Sequence, residues 1–206
     1  KFQKRSRCEM HEAEYNLQLI EKIPGTSFKV IPANDSSALP HSWVAYSDSA
    51  SSQVRAWLSE QGLKAGEYVC LHPGSSGSSR YLAVERMTAL VSRLYHQEKI
   101  AVVLTGSAAE ASLLNQIATA AGLPAKLIFG GALGTRPLSE LAELYRNSRA
   151  MMAHGTGPLH LAAAVGASVL AIFPPIFVLS EKRWGPLTSR RWTWTPPVSC
   201  PAKYKC

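Results

Sequence analysis

The chain lacks any apolar run long enough to cross a membrane. A spanning helix needs roughly 20 apolar residues in succession, and the longest apolar stretch, Val165 to Phe173 with its neighbours, is much shorter. The first seven residues are basic, but no apolar core of a signal peptide follows them. We therefore expect a chain that does not span a membrane and lies in the cytoplasm.

Cysteine is also scarce. Four cysteines in 206 residues do not make a disulfide framework. Cys70 lies in an apolar segment and is expected in the core. Cys200 and Cys206 are separated by five residues, which is not a usual zinc spacing. A local disulfide or half of a metal site stays open for this pair, but two ordinary thiols are the simpler interpretation.

Acidic residues are fewer than basic ones. Asp and Glu number 14 against 22 Lys and Arg, which gives a net charge of +8, and the basic excess lies near both ends of the chain. Such a charge suits an anionic partner, whether nucleotide, acidic glycolipid, membrane surface or nucleic acid. A solvated basic surface explains it equally well, so charge alone selects no function.

From about residue 63 the chain has a regular alternation of short apolar strands and amphipathic helices. The strands are expected at 67–72, 100–104, 126–129, 150–153 and 168–173, and the helices at 82–95, 108–121, 138–145 and 157–165. This order predicts a three-layer, Rossmann-like α/β fold with a parallel sheet covered on both faces. Ligands of such sheets bind beyond the carboxyl ends of the strands.

The flanking segments are less regular. A helix is expected at 9–22 and stops at Pro24-Gly25, and a second runs over 51–61 and ends at Gly62. One short strand is expected at 28–31, and the end of the chain shows little periodicity. We divide the chain into a leading helix, a linker with its helix, the α/β domain and a tail, at 1–23, 24–62, 63–175 and 176–206.

The stretch 154–164, HGTGPLHLAAA, joins an expected strand to an expected helix. Gly155 and Gly157 allow close approach of a ligand to the backbone. We expect the Thr156 hydroxyl to cap the helix and Pro158 to lie in its first turn. Because free N–H groups and the positive end of the helix dipole favour an anion, this stretch predicts a phosphate or diphosphate site.

A second strand-to-helix junction, at 72–80, is rich in serine and glycine. Ser75 and Ser76 offer N–H and hydroxyl groups, and Arg80 adds a guanidinium that can bind phosphate in a bidentate manner. The junction contains neither a Walker A sequence nor G-x-G-x-x-G. Because it faces the same edge of the sheet as 154–164, the two junctions predict a shared phosphate pocket.

Three further polar residues are candidates for contact with a ligand. Glu110 lies at the start of a helix, where its carboxylate could bind a ribose diol or simply compensate the helix dipole. His154 is expected at the mouth of the pocket and is the better candidate for touching a substrate. His160 lies within an alanine-rich helix, where a packing role is more common than a chemical one.

Four motifs together resemble those of the bacterial ADP-heptose:lipopolysaccharide heptosyltransferases, the family 9 glycosyltransferases. The stretch 156–164 is similar to their [ST]-G-P-M-H-L-A-A-A motif, the most specific of the four. The others are His72-Pro73-Gly74-Ser75-Ser76 followed by Arg80 and Glu85-Arg86, Thr105-Gly106 with Glu110, and His11-Glu12 with Tyr15-Asn16. The resemblance covers about residues 9–200.

The resemblance implies the second domain of a GT-B enzyme, preceded by the last helix of an otherwise absent first domain at 1–23. It implies that the backbone near Ser75, Ser76, Thr156 and Gly157 holds the donor diphosphate together with Arg80, and that Glu110 reaches the ribose. The further donor-binding candidates are Gly155, His154 and His160. It also implies inverting, metal-independent transfer from a nucleotide sugar, ADP-heptose, to a lipopolysaccharide core glycolipid, with peripheral contact to the inner membrane. The family's general base lies in the first domain, so no base is assigned and no cofactor is expected.

The chain departs from the family pattern at three positions. Arg80 replaces a lysine, Leu82 replaces a tryptophan, and Gly155 stands where the family has an acidic residue. The last departure leaves the identity of the donor sugar open. Two other functions also stay open: a nucleotide-sugar-binding module that is inactive on its own, and a basic nucleic-acid-binding domain. Because the basic residues cluster near the ends instead of forming a stripe with aromatics, no nucleic acid is expected.

Overall fold

The computed structural model describes residues 4–20, 22–25, 44, 47–75, 77, 82–131, 134 and 136–198. The strand expected at 28–31 lies outside the described residues. So do Ser76, Arg80, Cys200 and Cys206.

In the described part of the chain, six parallel strands form one sheet in the order β3-β2-β1-β4-β5-β6. The register places Cys70 between Val103 and Met151. Because the order changes direction at β1, a crevice is expected above the carboxyl ends of β1 and β4. The strands are β1 (Tyr68–His72), β2 (Ala101–Gly106), β3 (Ile128–Gly130), β4 (Ala150–His154), β5 (Val169–Ile172) and β6 (Arg191–Trp194).

Seven α-helices accompany the sheet in the described part of the chain. Their ends follow local signals: the Ser47 hydroxyl accepts a hydrogen bond from the Ala50 N–H, and Gly62 closes the same helix in the left-handed conformation, φ +74°. The helices are α1 (Glu12–Ile20), α2 (Asp48–Gln61), α3 (Val84–Ser92), α4 (Ala111–Ala121), α5 (Leu138–Arg146), α6 (Gly157–Ala164) and α7 (Glu181–Trp184).

Some elements differ in type from the expected ones. The helix expected over 82–95 becomes α3 and then a π-helical turn, Arg93–Gln97. The helix expected from 108 begins with a 3-10 turn, Ala108–Glu110, before α4. Hydrophobic spacing identifies a helical segment but does not distinguish these tighter or wider turns, which depend on hydrogen bonding at the segment's ends.

The core has two halves, one on each face of the sheet. Residues of α2, α5 and α6 bury one face, where the rings of Trp57 and Phe129 meet edge to face with centroids 4.9 Å apart. Residues of α3 and α4, including Met87 and Leu114, bury the other face. Cys70 is fully buried, as expected. The predicted three-layer α/β architecture is confirmed.

The segment expected as an irregular tail contributes β6 to the sheet. Leu170 pairs with Trp192, and the Thr193 hydroxyl donates to the Glu181 carboxylate at 2.6 Å. The sheet therefore extends beyond the boundary expected at residue 175. Four residues of alternating Arg, Trp and Thr carry too weak a pattern to identify a strand at the edge of a sheet.

The segment around α1 packs against the residues that follow β5. Glu12 forms ion pairs with Arg5 and with Arg183, the latter at 2.8 Å. The His11 Nε2 lies 2.8 Å from the Gly185 carbonyl oxygen. Cys8 is buried beside Ile176 in the same region. Among the described residues, no helix combines the length and apolarity that a bilayer crossing demands.

Candidate functional site

A cavity of about 250 Å³, here called the first cavity, opens at the carboxyl ends of four neighbouring strands, β3, β2, β1 and β4. It brings together residues from all three of the strand-to-helix junctions that the sequence singled out. Its polar lining includes His72, Ser75, Ser107, Glu110, Arg136 and Thr156, and Gly157 and Pro158 complete the side formed by α6. The contact of any of these residues with a ligand stays a prediction.

The amino end of α6 forms one wall of the first cavity. Gly157 is the first helical residue and Pro158 the second, as expected. The side-chain cap expected from Thr156 is wrong, because its hydroxyl donates to the His154 carbonyl oxygen at 3.2 Å. The turn through Gly155 brings that carbonyl within reach. Pro158 has no N–H, and the Leu159 N–H donates to the Thr156 carbonyl oxygen at 3.1 Å. Within the described part of the chain, the Gly157 N–H is therefore the first-turn donor that remains for a ligand.

The two glycines of this turn differ in the space that a side chain would find at each position. A Cβ on Gly155 would lie 2.7 Å from Cε1 of Phe173, a ring that is buried in the core. A Cβ on Gly157 would meet no atom within 4 Å. Phe173 thus occupies the space that a side chain at position 155 would need. Gly157 instead borders open space above the helix.

Glu110 has the helix-start role that the sequence expected, and its contact with a ribose diol stays a prediction. Its Oε2 accepts hydrogen bonds from the Ser107 N–H and hydroxyl, both at 2.9 Å, and completes a capping box. Its Oε1 is buried and makes no hydrogen bond within the described part of the chain. A Cβ on Gly74 would lie only 1.8 Å from Oε1, so glycine at position 74 gives this oxygen its room.

A buried polar chain lies beneath the first cavity. The Tyr145 hydroxyl and His72 Nδ1 both lie within hydrogen-bond distance of the Thr105 hydroxyl, at 2.9 and 3.2 Å. His72 Nε2 faces Glu110 Oε1 at 3.8 Å. Burial lowers the pKa of His72, and the Glu110 carboxylate opposes this shift only in part. His72 is therefore a neutral ring at neutral pH, and its position supports the floor of the cavity.

His154 does not lie at the mouth of the cavity, so its expected location is wrong. The residue is 1% exposed, and its Nε2 accepts a hydrogen bond from the Leu82 N–H at 2.9 Å. Burial lowers the pKa of His154 to about 4, and neighbouring His72 adds to the shift. The ring fastens the start of α3 to β4, and its contact with a donor stays a prediction.

His160 borders a second cavity of about 210 Å³, which also lies at the α6 terminus. The two cavities share Thr156 and Gly157. Phe173 and Trp184 form aromatic walls of the second cavity. Burial lowers the pKa of His160, and His11 contributes further. A neutral His160 one turn into α6 can therefore offer a hydrogen bond to a ligand near the helix terminus.

The pKa of His154 predicts a dependence of stability on pH. The folded-state pKa of about 4 lies below the ordinary 6.5, so the unfolded chain binds more protons between these values. Stability should therefore decline as pH falls from about 6.5 to about 4. In His154→Gln we expect this decline to be smaller, by up to about 3 kcal/mol.

Urea unfolding at a series of pH values measures this effect. His96→Gln, on the exposed π-helical turn, controls for the substitution itself. An equal decline in wild type and His154→Gln would contradict the assigned role of burial.

Sequence reasoning missed Arg136 and did not single out His72 as part of the site. His72 ends β1 directly before the Ser/Gly loop, so its position at the sheet edge was a usable signal. Arg136 precedes α5 in an irregular stretch, and no periodic pattern connects it with the strand ends. No group of three or more His, Cys, Asp or Glu in the described ranges could hold a metal ion.

Comparison with known families agrees with this geometry. The model of glycosyltransferase family 9 (heptosyltransferase) matches residues 25–203, which is most of the chain. The chain belongs to glycosyltransferase family 9. The first cavity of this family 9 chain therefore lies within the matched region.

Known relatives of the family 9 chain are about twice its length. A protein of Haemophilus influenzae, named as a presumed glycosyltransferase, is 27% identical over 188 residues, which is 90% of this chain and 52% of that protein. The glycosyl transferase family 9 structure from Veillonella parvula superposes with a TM-score of 0.71 at 15% identity, covering 91% of this chain and 49% of that one. The chain thus spans about half the length of these relatives.

Two solved Escherichia coli structures are also similar. ADP-heptose lps heptosyltransferase II has a TM-score of 0.56 at 19% identity, covering 76% of this chain and 47% of that one. Heptosyltransferase WaaC, solved with ADP, has a TM-score of 0.56 at 18% identity, covering 70% of this chain and 42% of that one. At these identities the structures show a shared fold.

Proposed function

We propose that this chain is the donor-binding half of an inverting, metal-independent family 9 glycosyltransferase. The whole enzyme would move a sugar, heptose by family resemblance, from a nucleoside diphosphate donor to a lipopolysaccharide core acceptor. The observation that carries the proposal is the first cavity, where the open amino end of α6 faces Glu110 across the ends of β1, β2 and β4. The helix terminus, which favours an anion, and a carboxylate that can bind a sugar diol therefore line the same cavity.

The diphosphate and the ribose of a nucleoside diphosphate each have a counterpart in the proposed site. The diphosphate lies at Thr156 and Gly157, where the dipole of α6 and the Gly157 N–H favour negative charge. Arg80 and Ser76, carried over from the resemblance, add charge and hydrogen bonds. The ribose diol donates to Oε1 of Glu110, the buried oxygen that the capping box leaves over.

The same contacts account for the proposed chemistry. The acceptor hydroxyl attacks the anomeric carbon from the face opposite the nucleotide, so the configuration inverts as the bond to the diphosphate breaks. The departing diphosphate gains negative charge, which the helix terminus and Arg80 stabilise more strongly than they stabilise the intact donor. A base outside this chain takes the proton from the acceptor hydroxyl. This chain therefore supplies leaving-group stabilisation and donor positioning.

The acceptor's chemistry sets the proposed location. A lipopolysaccharide precursor is a membrane glycolipid, so we place the protein in the cytoplasm with peripheral contact to the inner membrane. The basic excess of the chain favours that contact with an anionic surface. A nucleic-acid-binding function is less well supported, because the cavity that defines the site contains Glu110 and has the size of a small-molecule pocket.

Replacing Arg80 by alanine is expected to weaken ADP binding at least tenfold, because a phosphate contact from a guanidinium is lost. Isothermal titration calorimetry measures the change directly. Arg93→Ala is the matched control, since Arg93 is exposed and pairs only locally with Glu98 at 3.3 Å. An unchanged affinity in Arg80→Ala would remove Arg80 from the site.

Two assays test the proposed function as a whole. ADP and other nucleoside diphosphates should raise the thermal unfolding temperature of this chain, because a ligand that binds only the folded state stabilises it. Transfer from ADP-heptose should require a protein extended at the amino end, whereas this chain alone should bind without transferring. If the extended protein also binds but never transfers, the chain is a binding module; if neither protein binds, the proposal fails.

A further inference from the structure

Arg136 is a cation of the first cavity that no motif predicts. Its guanidinium carbon lies 4.7 Å from the centroid of the Phe129 ring, and its NH1 donates to Glu140 Oε2 at 3.3 Å. Its Nε is buried and has no hydrogen-bond partner among the described residues. The side chain is therefore fixed in place by Phe129 and Glu140, and its Nε keeps donor capacity that no described residue uses.

The residues that line the first cavity follow one another along the edge of the sheet. The α6 terminus follows β4, Glu110 follows β2, and Phe129 lies on β3. β4 and β3 are three strand spacings apart in the order β3-β2-β1-β4, or about 14 Å. A nucleotide with its diphosphate at α6 and its ribose at Glu110 therefore extends its base toward Phe129 and Arg136.

The far end of the cavity has the character of a slot for a flat ring. Leu138 and Leu141 line it together with Phe129 and Arg136. Leu138, the first residue of α5, is 72% exposed, so its side chain is open to a ligand that enters the cavity. An apolar rim beside a rigid guanidinium fork suits a nucleobase, which offers flat faces for packing and an edge of hydrogen-bond acceptors.

We propose that Arg136 recognises the base of the bound nucleotide and is a specificity-determining residue of this site. The inference rests on the proposed function and extends it from the class of donor to the residue that reads the base. The guanidinium donates hydrogen bonds to acceptors on the base edge. Glu140 holds the guanidinium in the orientation that this contact needs, and Leu138 covers one face of the ring.

The test compares ADP with inorganic pyrophosphate, which has no base. In Arg136→Met we expect about tenfold weaker binding of ADP, with pyrophosphate affinity changed by less than twofold. The spread of affinities among ADP, CDP, GDP and UDP should narrow by a similar factor. Calorimetry on the 206-residue chain provides all of these values.

A second variant makes the test independent of folding defects. Leu138→Ser alters an exposed side chain, so the fold should persist while ADP, but not pyrophosphate, binds several-fold more weakly. Equal losses for ADP and pyrophosphate in Arg136→Met would make Arg136 a phosphate contact and overturn the inference. Unchanged ADP affinity in both variants would also overturn it while leaving the proposed function intact. If the wild-type chain binds none of the four nucleotides, the proposed function and this inference both fail.

Discussion

Replacing Gly157 by aspartate is expected to lower ADP affinity by at least 100-fold while the fold stays intact. A Cβ at this position meets no atom within 4 Å, and an acidic residue at the first position of a helix interacts favourably with its dipole. The same carboxylate would occupy the proposed diphosphate site. Two unit charges 4 Å apart repel by about 4 kcal/mol at an effective dielectric constant of 20, and about 1.4 kcal/mol corresponds to a tenfold change in affinity.

Gly157→Asn separates charge from bulk, because asparagine has nearly the same shape as aspartate without its charge. Calorimetry should show a far smaller loss of affinity for the asparagine variant. Thermal unfolding of both variants should resemble that of the wild type. Equal losses of ADP affinity in the two variants would mean that the size of the side chain, and not its charge, causes the loss. Retention of ADP binding in Gly157→Asp would place the diphosphate elsewhere.

Gly155→Ala should instead destabilise the fold, by about 1–3 kcal/mol. Its added methyl group would lie 2.7 Å from the buried Phe173 ring, so the ring or the turn must shift. Overpacking of a well-packed core has costs of this size. Gly157→Ala is the matched control, only two residues away, and should leave the free energy of unfolding nearly unchanged because its methyl group enters open space.

Urea unfolding of the two alanine variants shows whether contact with Phe173 is the reason that position 155 is a glycine. Equal stability in both variants would contradict the packing role of Phe173. A clear loss in Gly155→Ala alone would explain why this family 9 chain has no acidic residue at position 155. It would also indicate that any contact from that position to the donor sugar must come from the backbone.

Most of the architecture could be predicted from the sequence because its elements repeat one strong pattern. Short apolar runs such as 100–104 alternate with amphipathic helices such as 108–121, and only a parallel sheet satisfies that order. Parallel strands present their carboxyl ends at one edge. The meeting of Ser75, Glu110 and Thr156 in one cavity therefore followed from the positions of three junctions in the chain.

Features that depend on tertiary contacts were not predictable in this way. β6 is a strand because Leu170 and its neighbours offer an edge for pairing, not because RWTW has a strong strand pattern. Thr156 has the sequence position of a helix cap, but its hydroxyl accepts no hydrogen bond from α6 and donates to the His154 carbonyl oxygen instead. Arg136 belongs to the site because its guanidinium lies over the Phe129 ring and donates to Glu140. No sequence motif indicates the contact with Phe129.

A crystal structure of this chain with ADP tests the central claim most directly. The account predicts the diphosphate above Thr156 and Gly157 at the start of α6, the ribose within hydrogen-bond distance of Glu110 Oε1, and the base beside Arg136. ADP bound away from the ends of β1 and β4, or an α6 terminus covered by the protein's own side chains, would contradict it.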